Sequence, residues 1–260
     1  MRIGLPLVLA LLCACQSTPA PDPGAGAGGL PRGELFHLRP DWRSMSPAAF
    51  DQWMVDELPG GSARPLDKPD MRALTQALDE ADLDSVRAAV ILGRTLYPTS
   101  AALLIRRLER RVQGPERFSD CGDSVAAAAL ARFPDPRRYA QRLVPLAVGP
   151  HPHPDLEARV ECAATALHAG YEEVIPFLLQ VLRIDTFAGR ADARDFDVSP
   201  TTAWARGRAA EALSQYAGVP LAYRFDGPIA AREAEARRLE ELLLLSPAVR
   251  SPEAPAAASR

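Results

Sequence analysis

A five-residue pattern, Ala-Ala-x-x-Leu, recurs four times along the chain and constrains its fold more than any other feature. The copies are Ala88-Ala89 with Leu92, Ala126-Ala127 with Leu130, Ala163-Ala164 with Leu167, and Ala209-Ala210 with Leu213, so successive leucines lie 38, 37 and 46 residues apart. Self-similarity at a period of a few tens of residues marks units that cannot bury an apolar face alone and stack to share a core. Each copy sits in an apolar stripe of helical period, for example Val160, Ala163, Ala164 and Leu167, and a second amphipathic run follows a short break. The unit is therefore a helical hairpin. First helices are expected near residues 83–96, 121–133, 155–169 and 201–217, with partners near 99–112, 136–148 and 172–184. Alanines at the contacts let helices approach closely while the leucines fill the layer between hairpins.

The predicted fold class is all-α, an α-solenoid of about four to five stacked antiparallel hairpins. Aromatic residues make up only 6% of the chain, so such a core is built from Ala, Leu and Val rather than large rings. Turn signals agree with the boundaries. Gly114-Pro115, Gly149-Pro150 and Gly227-Pro228 fall between units, and Gly170 and Gly218 fall at first-helix ends. Pro98-Thr99-Ser100, Asp135-Pro136, Pro154-Asp155 and Ser199-Pro200 supply capping side chains or a first-turn proline. A pair of helices, Ser46-Pro47 to Leu58 and Pro69 to Ala81, precedes the first copy as an N-terminal cap. A charged helix from Ile229 to Leu245, with Leu239, Leu242 and Leu243 on one side, closes the array. Trp42, Trp53 and Trp204 are expected in the core or the caps.

The clearest copy, Val160-Glu161-Cys162-Ala163-Ala164-Thr165-Ala166-Leu167, then Gly170 and Val174-Ile175-Pro176-Phe177-Leu178-Leu179, resembles the first helix, turn and second helix of the short HEAT repeats found in phycobilisome lyase-like proteins. The resemblance covers roughly residues 83–217. Glycine directly after the leucine occurs only at Gly93, and the fourth copy lacks an immediate second helix, so the array is degenerate. The resemblance implies that second helices line a concave face. On them stand Arg106, Arg107, Arg110 and Arg111 in one unit and Arg137, Arg138 and Arg142 in the next. Arg106, Arg110, Arg138 and Arg142 are thus candidate contacts for an acidic partner segment or an anionic glycan or lipid headgroup, the alternative being an ordinary solvated face.

At the N-terminus, Arg2 and the apolar run Ile3 to Leu12 have the form of an export signal too short to span a bilayer. Leu12-Cys13-Ala14-Cys15 resembles the lipobox of bacterial lipoproteins, which implies removal of residues 1–14 and lipidation of Cys15. That processing removes Arg2 and no acid, taking the formal net charge from −3 to −4. A mildly acidic exported chain is a poor nucleic-acid binder. Residues 15–40 are expected to be a flexible tether and lead-in, 41–245 the helical array with both caps, and 246–260 a disordered tail. The run Gly24-Ala25-Gly26-Ala27-Gly28-Gly29 satisfies a dinucleotide glycine pattern formally, but no strand precedes it and no helix follows.

No catalytic motif stands out: the mature chain has no Gly-Lys phosphate loop, His-Glu-x-x-His, Gly-x-Ser-x-Gly or Cys-x-x-Cys. His151-Pro152-His153 is the one compact histidine cluster and, with Asp155, marks an alternative enzymatic site, although an inter-repeat loop explains it as well. His37 and His168 stand isolated, and neither a metal nor a cofactor is expected. Cys121 and Cys162 remain after processing, and export allows a disulfide between them as readily as two buried thiols. The insertion from Asp185 to Ser199 breaks the regular spacing and carries Asp192, Asp195 and Asp197 beside Phe187 and Phe196. Asp192 and Asp195 are candidate partner contacts. The expected function is a membrane-anchored, non-enzymatic scaffold for an unknown protein partner at the cell envelope, with no nucleic acid bound.

Overall fold

A computed structural model describes residues 35–59, 64–80, 83–113, 121–184, 200–225 and 227–244. Among them the chain is all-α. In order, the helices are α1 (Pro47–Glu57), α2 (Lys68–Asp79), α3 (Leu83–Thr95), α4 (Pro98–Gln113), α5 (Cys121–Leu130), α6 (Arg137–Val148), α7 (Leu156–His168), α8 (Ile175–Leu182), α9 (Pro200–Ala217) and α10 (Ile229–Leu244), with a 3-10 turn at Glu172–Val174 before α8. The only β pairing among the described residues is an isolated parallel bridge between Phe36 and Leu66.

The helix ends follow from local chemistry. Ser46, Asp67 and Asp155 each accept a hydrogen bond from the backbone N–H three residues on, at 3.3, 2.8 and 2.8 Å, satisfying donors that a first turn leaves free. Asp135 does not act this way: α6 starts after Pro136, and the Asp135 carboxylate binds Arg138 instead. Gly170 and Gly218 end α7 and α9 with φ of +94° and +67°, the left-handed conformation that a side chain disfavours. Beyond them, Tyr171 N–H reaches the Ala166 carbonyl and Val219 N–H the Ser214 carbonyl, both at 3.0 Å, closing the last turns.

The four Ala-Ala-x-x-Leu helices, α3, α5, α7 and α9, pack one on the next in chain order. Their partners form a second row, in which α2 meets α4, α4 meets α6, α6 meets the 3-10 turn, and α8 meets α10. All four pattern leucines are buried, together with both alanines of every copy. Close approach is tightest between α3 and α5: a methyl group on Gly93 would stand 2.5 Å from the Ala129 Cβ. That is why glycine follows the leucine in this copy.

The two ends are closed differently. At the N-terminal end Phe36, Phe50 and Trp53 form an aromatic cluster, with centroids 5.7 Å apart for Phe36–Trp53 and 5.8 Å for Phe50–Trp53. Buried Arg87 of α3 donates to the Trp42, Arg43 and Met45 carbonyls, and Arg94 donates to the Met54 carbonyl at 3.2 Å. Trp42 is buried beside this cluster, whereas Trp204 on α9 is half-buried. At the C-terminal end Ala236, Leu239 and Leu243 of α10 face inward, while Leu242 is only half-buried, so the inner face is narrower than the leucine run suggests.

Candidate functional site

The arginines singled out from the sequence all lie on the second row, and all four are exposed. Three are already paired. Arg110 of α4 makes a bidentate pair with Asp79 of α2, one arm at 3.0 Å. Arg142 of α6 does the same with Glu109 of α4, at 2.9 and 2.6 Å. Arg138 binds Asp135 at 2.7 Å within its own turn. Arg183, just past α8, repeats the pattern with Glu240 of α10. The second row therefore carries a ladder of ion pairs in which each rung but Arg138–Asp135 joins consecutive second-row helices. The stripe is of mixed sign, and Arg106 stands on it exposed and outside the ladder of pairs.

Arg107 and Arg111 point the other way. They share a helix face with Leu104 and Leu108, a spacing visible in the sequence; Arg107 and the leucines are buried, and Arg111 at the edge is half-buried. Asp123, in the first turn of α5 and 1% exposed, accepts Arg107 Nε at 2.7 Å and Arg111 Nε at 2.8 Å. His153 completes this knot from the loop before α7, its Nε2 standing 3.6 Å from Asp123 Oδ2. Its Nδ1 accepts the Asp155 N–H at 3.2 Å, so the neutral ring carries its proton on Nε2, which is buried near Asp123 without a hydrogen bond to it. Burial holds the His153 imidazole below its ordinary pKa, against the opposing pull of Asp123 and Asp155. Burial also raises the Glu157 carboxyl, with Asp155 adding to it and the Ser124 and Thr201 hydroxyls opposing it.

This arrangement separates the two histidines of the loop. His151 is exposed and His153 is buried beside Asp123, so the two rings stand in different environments. His37, isolated in sequence, has company in space: its Nδ1 lies 3.6 Å from Asp67 Oδ2 and 3.9 Å from Asp70 Oδ2. Sequence reasoning missed this because thirty or more residues separate His37 from Asp67 and Asp70. It also missed a cavity of about 350 Å³ between α8, α9 and α10, lined by Arg183, Arg206, Arg232, Arg237 and Glu233.

Cys162 is a free thiol sealed inside α7, and burial raises its pKa far above the ordinary range. Cys121, the other member of the pair for which export allows either a disulfide or two buried thiols, has its side chain outside the described residues. Cys15 and the insertion residues Asp192 and Asp195 also lie outside them. No helix among the described residues is long and apolar enough to cross a membrane. Compared with known proteins, the chain matches no family model, no curated protein and no solved structure.

Proposed function

We propose that this chain is a non-enzymatic scaffold of HEAT-like hairpins, anchored to a membrane of the cell envelope through a lipid on Cys15 and presenting its second-row helices to a protein partner. One observation carries the reading: the four helices that hold the repeated pattern pack one on the next in chain order, and the helices beside them meet in a second set of contacts. Such an array reads as an α-solenoid of about four hairpins, the last completed by α10, with α1 and α2 closing its N-terminal end, and its surface grows with each unit. Catalysis needs groups converging in a pocket, and of the histidines nominated for it one is exposed and the other is buried beside Asp123.

The ladder of exposed ion pairs suits this role. An exposed pair is worth only about 0–1 kcal/mol, so an acidic partner segment can displace Asp79 or Glu109 from Arg110 or Arg142 at small cost. Arg106, outside the ladder, gives the first contact. The partner is then a protein segment with carboxylates spaced to match consecutive second helices, and its binding weakens with salt.

The test is affinity capture of the lipidated protein from its own envelope with mass spectrometry. A Cys15→Ser form and a form carrying Arg106→Glu, Arg110→Glu, Arg138→Glu and Arg142→Glu are run alongside. One protein recovered with the native form, reduced with Cys15→Ser and lost on charge reversal, is the expected result. Equal recovery by the charge-reversed form would remove the second row as the binding surface, and recovery of nothing specific would remove the scaffold reading.

A further inference from the structure

We propose that His37, Asp67 and Asp70 form a binding site for a divalent transition metal of the zinc type, where the lead-in segment crosses the start of α2. The three side chains come from two separate stretches of chain, and each offers one ligand atom, all within 4.8 Å of one another. A zinc ion takes imidazole nitrogen and carboxylate oxygen at about 2.0–2.2 Å in a tetrahedron, which sets ligand atoms about 3.3–3.5 Å apart. The separations of 3.6 and 3.9 Å from His37 Nδ1 to Asp67 Oδ2 and Asp70 Oδ2 exceed this by a few tenths of an ångström. The His37 side chain is 65% exposed and has room to close that gap.

The site is also organised in advance of any ion. Residue 37 is held on both sides: Phe36 is buried and donates its N–H to the Pro65 carbonyl at 2.9 Å, and Leu38 N–H binds Asp70 Oδ2 at 2.9 Å. Asp67 Oδ1 accepts the Asp70 N–H at 2.8 Å, which turns Oδ2 toward the imidazole. Backbone donors that orient ligating carboxylates are the usual outer support of a metal site. The start of α2 carries about half a positive charge and opposes a cation, but two carboxylates outweigh it. The imidazole in this donor set favours zinc over magnesium or calcium, which take oxygen ligands. Water fills the fourth position, since Asp67 and Asp70 are themselves partly open to solvent.

Binding requires His37 Nδ1 free of its proton, so the ion and a proton compete for the ring. With the metal present, the three groups clamp the lead-in segment to α2.

Isothermal titration of the full chain with zinc chloride tests this without reference to any partner. The native chain takes up one equivalent. His37→Ala and Asp67→Asn each weaken that binding by roughly tenfold or more. Asn at 67 keeps an oxygen to cap α2, so this variant separates loss of a ligand from loss of the fold. His151→Ala, which removes an exposed histidine elsewhere, leaves binding unchanged. Binding that survives both His37→Ala and Asp67→Asn, or absence of one-equivalent uptake at zinc concentrations up to about 100 µM, overturns the assignment, whichever way the scaffold experiment falls.

Discussion

Arg107 donates from Nε to Asp123 Oδ1 across 2.7 Å, and both side chains are withdrawn from solvent. Arg111 reaches the other oxygen from the same helix, so one carboxylate on α5 ties down two turns of α4. Such a pair adds little net stability over apolar side chains of the same shape, because both charges lose their hydration. Losing one partner is different, since it strands a charge in the interior.

Asp123→Ala is therefore expected to cost about 3–5 kcal/mol, read as a lower midpoint in urea unfolding. The double variant Arg107→Met with Asp123→Leu should recover much of that loss. A cost for Asp123→Ala within about 0.5 kcal/mol of zero, the range of ordinary surface changes, would show that the pair is solvated in solution.

Gly93 offers a second test, of the close approach between α3 and α5. Gly93→Ala would raise helix propensity by about 1 kcal/mol on an exposed helix. Here its new methyl meets the Ala129 Cβ at 2.5 Å, and overpacking of this kind costs about 1–3 kcal/mol. Net destabilisation is expected, relieved by adding Ala129→Gly. A thermal unfolding cycle over the four forms measures the coupling, and additive effects would mean that the two helices do not touch at this point.

Acid should weaken the fold through His153. Its folded pKa lies below its unfolded value near 6.5, so the unfolded chain binds the extra proton first. Stability from this group is intact above about pH 6.5 and declines as the pH falls toward the lowered folded value. Protonating Nδ1 also releases the Asp155 N–H that it accepts at the start of α7. Urea midpoints between about pH 7.5 and 5.5 should fall more steeply for the native chain than for His153→Gln. Parallel profiles would rule out this histidine as the sensor.

Cys162 should resist alkylation in the folded chain, because its thiol is buried and holds its proton far above neutral pH. Peptide mapping after iodoacetamide treatment should find it unmodified in buffer and modified in denaturant. Rapid modification without denaturant would show that α7 opens locally.

The repeat made the helices legible before any coordinates. Periodicity put the first helix of the clearest hairpin at residues 155–169, and Leu156–His168 forms it. The missing second helix of the fourth copy is also explained, since α10 packs on both α8 and α9 in its stead. The 3-10 turn at Glu172–Val174 and the Asp135–Arg138 pair were not legible, because each depends on which of two local hydrogen bonds wins.

The candidate site was less legible than the fold. Arg106, Arg110, Arg138 and Arg142 were found by position, but their signs of interaction were not, since Asp79 and Glu109 come from the preceding second-row helix. The sequence determined that this chain makes paired helices with alanine contacts and leucine layers, because a 3.6-residue period needs only local neighbours to be read. Tertiary structure alone decided that Arg107 and Arg111 meet Asp123, that His153 is sealed while His151 is open, and that His37 meets two aspartates. Each outcome depends on which distant helix supplies the facing carboxylate, and a charged side chain goes where its charge can be matched or hydrated.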